Sequence, residues 1–159
     1  MMKYQIRKAT PSDMRAIIKL CAEHAEFERT EFSPEKKVEK LREYLFSDNP
    51  PLFCLVAESK EGEIIGYTTF MPEFSTWDAD YYVYMDCLYL RPEARNFGIG
   101  KQLIRAIAKF AKERKIKQLQ WHTPNFNKRA IKFYYRLGAA AKEKMRFYLN
   151  EQKIEDLAN

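Results

Sequence analysis

The 159-residue chain holds only 3 cysteines, 2 histidines and 5 glycines, and it has no long apolar run. Each scarcity removes a class of protein. Cys21, Cys54 and Cys87 are odd in number, far apart and match no zinc spacing, so neither a disulfide framework nor a metal site is expected; reduced thiols in a cytosol are. Around His24 and His122 there is no pattern of serine and acid that a catalytic triad needs. His24 reads as part of a helix surface and His122 as a satisfied strand-end residue. No stretch reaches the roughly 20 apolar residues of a membrane span, and MMKYQIRKAT lacks the apolar centre of a signal peptide. A soluble, unprocessed, cytoplasmic protein is expected, and the length suits one domain over residues 1–159.

Lysine and arginine number 28 against 22 acids, a net charge of +6. A basic face is the footprint of phosphate, carried by a nucleic acid or equally by a phosphorylated small molecule.

Along the chain, Thr10-Pro11-Ser12-Asp13 is a helix start, followed by an apolar stripe of Met14, Ile17, Ile18 and Cys21. Ser33-Pro34-Glu35 repeats the signal ahead of Val38, Leu41 and Leu45. Strands are expected at Phe53 to Glu58 and Ile64 to Phe70, turning at Glu61-Gly62, and at Tyr81 to Leu90. Leu103, Ile104, Ile107, Ala108 and Ala111 then mark one helix face. Ile116 to His122 reads as a strand; Ala130, Ile131, Tyr134 and Leu137 mark a helix ending at Gly138; Met145 to Leu149 reads as a final strand. The charged tail from Asn150 is expected to be the least ordered part. The alternation predicts an α/β domain with a mixed sheet.

Two of the few glycines stand together in Arg95-Asn96-Phe97-Gly98-Ile99-Gly100-Lys101. Between a strand and a helix, such a loop presents free amides and the positive end of the helix dipole to an anion, and glycine lets a pyrophosphate approach. A plain tight turn is the other reading. The third glycine of a dinucleotide fingerprint and the GK[ST] of a P-loop are both missing.

The pattern Arg95-x-x-Gly98-x-Gly100 resembles the acetyl-CoA motif of the GCN5-related N-acetyltransferase (GNAT) family. So does the later segment with Asn127, Ala130, Phe133, Tyr134 and Gly138. The resemblance covers nearly the whole chain. It is nearest to the diamine, or spermidine/spermine, and thialysine branch, through Tyr4 to Arg7, Ala9-Thr10, Phe27-Glu28 and Phe74-Ser75-Thr76-Trp77. Asp86-Cys87 departs from it, standing where that branch carries two acids. The resemblance implies a central twisted mixed sheet with helices on both faces and direct transfer of an acetyl group from acetyl-CoA to a primary amine of a small cation. It further implies no metal, no nucleic-acid or membrane partner, and a homodimer. A non-catalytic acyl-CoA-binding module and a protein-lysine acetyltransferase are the alternatives.

Transfer from a thioester to an amine needs a proton acceptor, a held oxyanion and a protonated leaving thiolate. Asp86, late in a strand, is the candidate acceptor, and it also holds the amine. Glu23, Glu26, Glu28 and Glu31 crowd acids near the single base Arg29, an asymmetry that suits a cation, to which Asp78 and Asp80 add. By resemblance Phe27 and Glu28 bind the amine and Tyr134, rather than Tyr135, protonates the thiolate. Backbone amides near Leu88 hold the oxyanion. The cofactor would meet Leu88, Tyr89 and Leu90, the loop from Arg95 to Lys101, and Asn127, Lys128, Arg129 and Ala130. Cys87 reads as a packing residue.

Overall fold

In the computed structural model the described residues are 2–35 and 37–159. They form two compact units, 1–124 and 125–159. The first is built on a sheet in the order β1 (Tyr4–Lys8), β2 (Phe53–Ser59), β3 (Ile64–Ser75), β4 (Asp80–Leu90), β5 (Leu119–Trp121). The first four strands pair antiparallel and β5 joins β4 in parallel. A parallel neighbour requires a crossover, and α3 (Ile99–Glu113) supplies it. The mixed sheet is as the sequence pattern predicts.

Alternation along the strands sends side chains to two faces, and each face has its own core. On one, Met14, Ile17 and Leu20 of α1 (Met14–Phe27) and Leu45 of α2 (Val38–Phe46) pack with Cys54, Val56, Ile64, Tyr67 and Tyr89. On the other, Ile99 and Leu103 of α3 pack with Ala57, Ile65 and Ala94. Helices therefore cover both faces. Of the expected α3 stripe, Leu103, Ile107 and Ala111 are buried but Ala108 is exposed. At the β3–β4 seam, Gly66 is required by close approach: a Cβ there would lie 2.8 Å from the Tyr89 carbonyl oxygen.

Several boundaries differ from the sequence reading. β1 is an additional strand, stabilised by full antiparallel pairing with β2. β3 runs on to Ser75, because β4 continues alongside it, and β5 shrinks to three residues. In the second unit, α4 (Lys128–Arg136) ends as expected, with Gly138 in the left-handed region at φ 88°. The expected strand from Met145 to Leu149 is not a strand: residues 141–150 have no ladder partner among the described residues, and apolar composition alone cannot make one. The tail is α5 (Glu151–Ala158), started by Asn150, whose side chain accepts from the Lys153 amide at 3.0 Å.

The entry to α1 is fixed by charge. The Asp13 carboxylate accepts from Arg7 Nη1 at 2.7 Å and Nη2 at 2.9 Å, and from the Thr10 amide at 2.7 Å. Arg7 Nε also donates to Glu58 at 2.8 Å, tying β1, β2 and the helix start together. Hydrogen bonding to Arg7 holds the Asp13 carboxyl at about 2, against the opposing effect of burial. A folded-state value below the unfolded one gives stability that is complete above the usual carboxylate range and is lost as pH falls through it. Asp13→Asn should therefore cost about 2 kcal/mol near neutrality. The difference from the parent should shrink between pH about 4 and about 2. Urea unfolding of both proteins across that range checks it, and a gap independent of pH would refute the linkage.

Candidate active site

β4 carries the site because its pairing is interrupted twice. Thr69 of β3 opposes Cys87 and Phe70 opposes Met85, so Asp86 is the extra residue of a β-bulge. A bulge bends its strand and re-aims side chains; Asp86 is exposed. On the other side, β5 pairs with β4 only at Val83, Tyr84 and Met85. From Asp86 to Leu90, no β5 residue lies alongside. That stretch includes Leu88, Tyr89 and Leu90, whose main chain is paired, among the described strands, with β3 alone.

Immediately downstream the chain turns through Pro92–Ala94 into the glycine loop. Asn96 (φ 72°) and Gly98 (φ 80°) both take left-handed backbone, and Gly98 caps α3 without a side chain. A Cβ on Gly98 would meet only Tyr4 Oη, at 3.9 Å, so the dihedral rather than crowding calls for glycine. The first amides of a 15-residue helix then face outward with its positive dipole end. This cradle fits a phosphate group, and Lys101 is exposed beside it. Phe97 is exposed, Ile99 and Gly100 buried.

Arg95 does more than add charge to the loop. Its Nε donates to the Leu90 carbonyl at 2.9 Å, and its guanidinium lies 5.3 Å from the Phe27 ring and 5.7 Å from the Tyr89 ring. It thus joins the cradle to the end of α1. Arg91, buried, pairs with Glu23 at 3.1 Å and with Glu63. Glu23 is therefore committed to a structural pair, and of the acidic group Glu28 stands next to the site while Glu26 and Glu31 are exposed. Asp78 and Asp80 do not join them. Asp80 starts β4, about 20 Å along the strand from Asp86 by strand rise, and pairs with Lys117 at 3.6 Å; Asp78 accepts from Ser75 Oγ at 2.7 Å.

His24 corrects the sequence reading. It is not a surface residue: its side chain is 13% exposed, stacked on Tyr89 with ring centroids 5.2 Å apart. Its Nδ1 lies 3.1 Å from Tyr67 Oη and its Nε2 3.2 Å from Glu28 Oε1. The i,i+4 spacing to Glu28 was the available signal; Tyr67 and Tyr89 come from distant strands and were not. His122 is as expected, with Nδ1 3.0 Å from Tyr84 Oη just past β5. Burial, with the Asp86 carboxylate adding to it, pushes the Cys87 thiol up to about 12, which suits packing and not nucleophilic attack.

The second unit holds the remaining candidates. Asn127 Oδ1 caps α4 by accepting from the Ala130 amide at 3.1 Å. Lys128 and Arg129 occupy its exposed first turn. Tyr134 is half-buried, its ring centroid 5.3 Å from that of Phe133, whereas Tyr135 is exposed. Among the described residues there is no cluster of His, Cys, Asp and Glu able to hold a metal, and no helix long and apolar enough to cross a membrane.

A bulged strand parting from its parallel neighbour, followed by an anion cradle at a helix N-terminus, defines an acyltransferase architecture. The chain belongs to the Acetyltransferase (GNAT) family, which it matches over residues 16–139. It is 35% identical over 141 residues to a thialysine N-epsilon-acetyltransferase of Bos taurus, covering 84% of this chain and 82% of that one. A Caenorhabditis elegans protein of the same name is 32% identical over 134 residues, covering 84% and 81%. An aminoglycoside N-acetyltransferase solved with CoA shares the fold at TM-score 0.79 and 19% identity, over 95% of this chain and 97% of that one. An integron cassette protein of V. cholerae does so at TM-score 0.80 and 22% identity, over 99% of both chains. The protein is a GNAT N-acetyltransferase, an enzyme acting on amines, and enzymes of this fold use acetyl-CoA.

Proposed function

We propose that the chain transfers the acetyl group of acetyl-CoA directly to a primary amine of a small cation of the thialysine, diamine or polyamine type, in the cytoplasm and as a homodimer. One observation carries the substrate class: in a protein of net charge +6, the Glu28 carboxylate lies 3.2 Å from the imidazole of His24, which stacks on Tyr89 of the strand whose bulge exposes Asp86, so two acids stand near the bulge. Likeness to thialysine acetyltransferases points the same way.

Acetyl-CoA supplies the activated carbonyl. The cradle from Arg95 to Lys101 would hold its pyrophosphate, the main chain of Leu88, Tyr89 and Leu90 its pantetheine arm, and Asn127 to Ala130 the remainder. Phe27 and Glu28 bind the amine, the carboxylate matching the ammonium of the incoming substrate. Since an alkylamine is mostly protonated at neutral pH, Asp86 takes its proton, directly or through water. The neutral nitrogen then bonds to the carbonyl carbon, and amides near Leu88 hold the oxyanion. As the oxyanion collapses the carbon–sulfur bond breaks and the nitrogen's second proton passes to water, from which the Tyr134 phenol is later restored. Tyr134 gives the thiolate its proton; a phenol of pKa about 10 is a usable donor to a thiolate whose acid has pKa about 8.5.

Turnover should appear when acetyl-CoA is supplied with thialysine, spermidine or putrescine, read as free thiol with the acetylated nitrogen located by mass spectrometry. Acetylation of amino sugars or protein lysines alone would refute the substrate class.

Gly98→Val should weaken acetyl-CoA binding roughly tenfold or more, because a β-branched residue at this positive φ costs about 1–2 kcal/mol, which the loop escapes only by moving. Calorimetry that finds unchanged affinity in a folded variant would remove the loop from the cofactor site.

Tyr134→Phe deletes one hydroxyl and keeps the ring. Melting and acetyl-CoA affinity should hold, while the single-turnover rate falls roughly 10²- to 10⁴-fold, the range for losing a general acid. An unchanged chemical step would show the acid to be another group.

A further inference from the structure

His24 lies between two groups of opposite hydrogen-bonding demand. A carboxylate only accepts, so the 3.2 Å contact with Glu28 requires a proton on Nε2. A neutral imidazole then has a bare Nδ1, which accepts from the Tyr67 hydroxyl at 3.1 Å. Burial favours that neutral state, lowering His24 below its ordinary value against the opposing Glu28 and Asp86 carboxylates, with Arg95 adding to the lowering. Tyr67 is 1% exposed, and burial first of all raises its hydroxyl far above the usual phenol value, so it stays a donor. The order of donation is fixed from the core outward: Tyr67 to His24 to Glu28.

Glu28 itself stands at the C-terminal end of α1, where the chain leaves the helix. It is the cap residue, its amide bonds to the His24 carbonyl at 2.9 Å, and Arg29 after it is left-handed at φ 59°. A long side chain at such a position has several rotamers, and locking one of them costs rotamer entropy. The imidazole, itself held by stacking on Tyr89 and by the core hydroxyl, supplies the lock.

We propose that His24 is a positioning residue for the amine: its Nε2–H fixes the Glu28 carboxylate in the orientation that receives the ammonium, using Tyr67 as the anchor. The inference rests on the reading that Glu28 binds the amine. Specificity follows, because a preset carboxylate rewards an ammonium at one distance from the reacting nitrogen and not at others.

The test compares two near-isosteric replacements, His24→Gln and His24→Met, of which only the first keeps a donor for Glu28. Thialysine and spermidine are the probes, with melting curves confirming the fold. His24→Met should raise the KM for the amine roughly tenfold, the loss of one hydrogen bond to a charged group, with kcat and the KM for acetyl-CoA nearly unchanged. His24→Gln should restore most of it. Glu28→Gln should raise the amine KM at least as much, and adding His24→Met to it should do no further harm. Equal amine KM values for the Gln and Met variants, or additive effects with Glu28→Gln, would overturn the positioning role. If Glu28→Gln leaves the amine KM untouched, the assignment of Glu28 falls and this inference with it. If Glu28→Gln raises the KM but His24→Met does not, only the inference falls.

Discussion

β4 is paired on both sides at Val83, Tyr84 and Met85, and on one side from Asp86 onward, where β5 no longer accompanies it. Backbone amides and carbonyls must find partners, so where β4 loses one neighbour its groups turn elsewhere, as the Leu90 carbonyl does in accepting from Arg95 Nε. The bulge falls at the same residue, and the glycine loop follows within ten positions. The unaccompanied strand edge, the exposed Asp86 carboxylate and the glycine loop thus follow one another along one stretch of chain. Rigidity there comes from β3, whose long pairing with β4 and glycine at position 66 hold the seam tight.

The parts legible in the sequence were those encoded by local chemistry. The turn at Gly98 and the helix stop at Gly138 are each decided by one residue's conformational range. The apolar stripes of α1 and α3 were likewise local. What escaped depends on partners distant in sequence. β1 exists because β2 pairs with it; Met145 to Leu149 has strand composition but no such partner among the described residues, and Phe147 and Tyr148 remain 83% and 86% exposed. The placement of Asp86 late in a strand and of the glycine loop ahead of a helix was legible, while the environment of His24 was not, since it is assembled from α1, β3 and β4. The tail misled in the other direction: a run of charges read as solvated chain is a helix, because Asn150 caps it and Gln152 and Asp156 pair at i,i+4.

Charge also has a spatial logic that the total of +6 conceals. α1 and α3 pack against opposite faces of the sheet. α3 starts at the cradle and carries Lys101, Arg105, Lys109 and Lys112 at exposed positions, while the end of α1 carries Glu23, Glu26 and Glu28. A layer of sheet between helices is comparable to a Debye length of about 8 Å at physiological salt, enough to keep the two fields from cancelling in solvent. The basic and the acidic field thus stand on opposite faces of one sheet.

Two arginines keep those fields from spreading into each other. Arg91, itself buried, pairs with the partly exposed Glu23 and with the exposed Glu63, so Glu23 is neutralised. Arg95 lies across Phe27 and Tyr89 with its Nε on the Leu90 carbonyl, a cation placed between the cradle and the acids at the bulge. Burial first of all keeps the imidazole of His24 neutral against the Glu28 and Asp86 carboxylates, and the charge of Arg95 adds to that effect. A protonated His24 would form an ion pair with Glu28 and offset its charge. The neutral imidazole that burial favours instead donates one hydrogen bond to Glu28 and leaves the carboxylate's charge uncompensated.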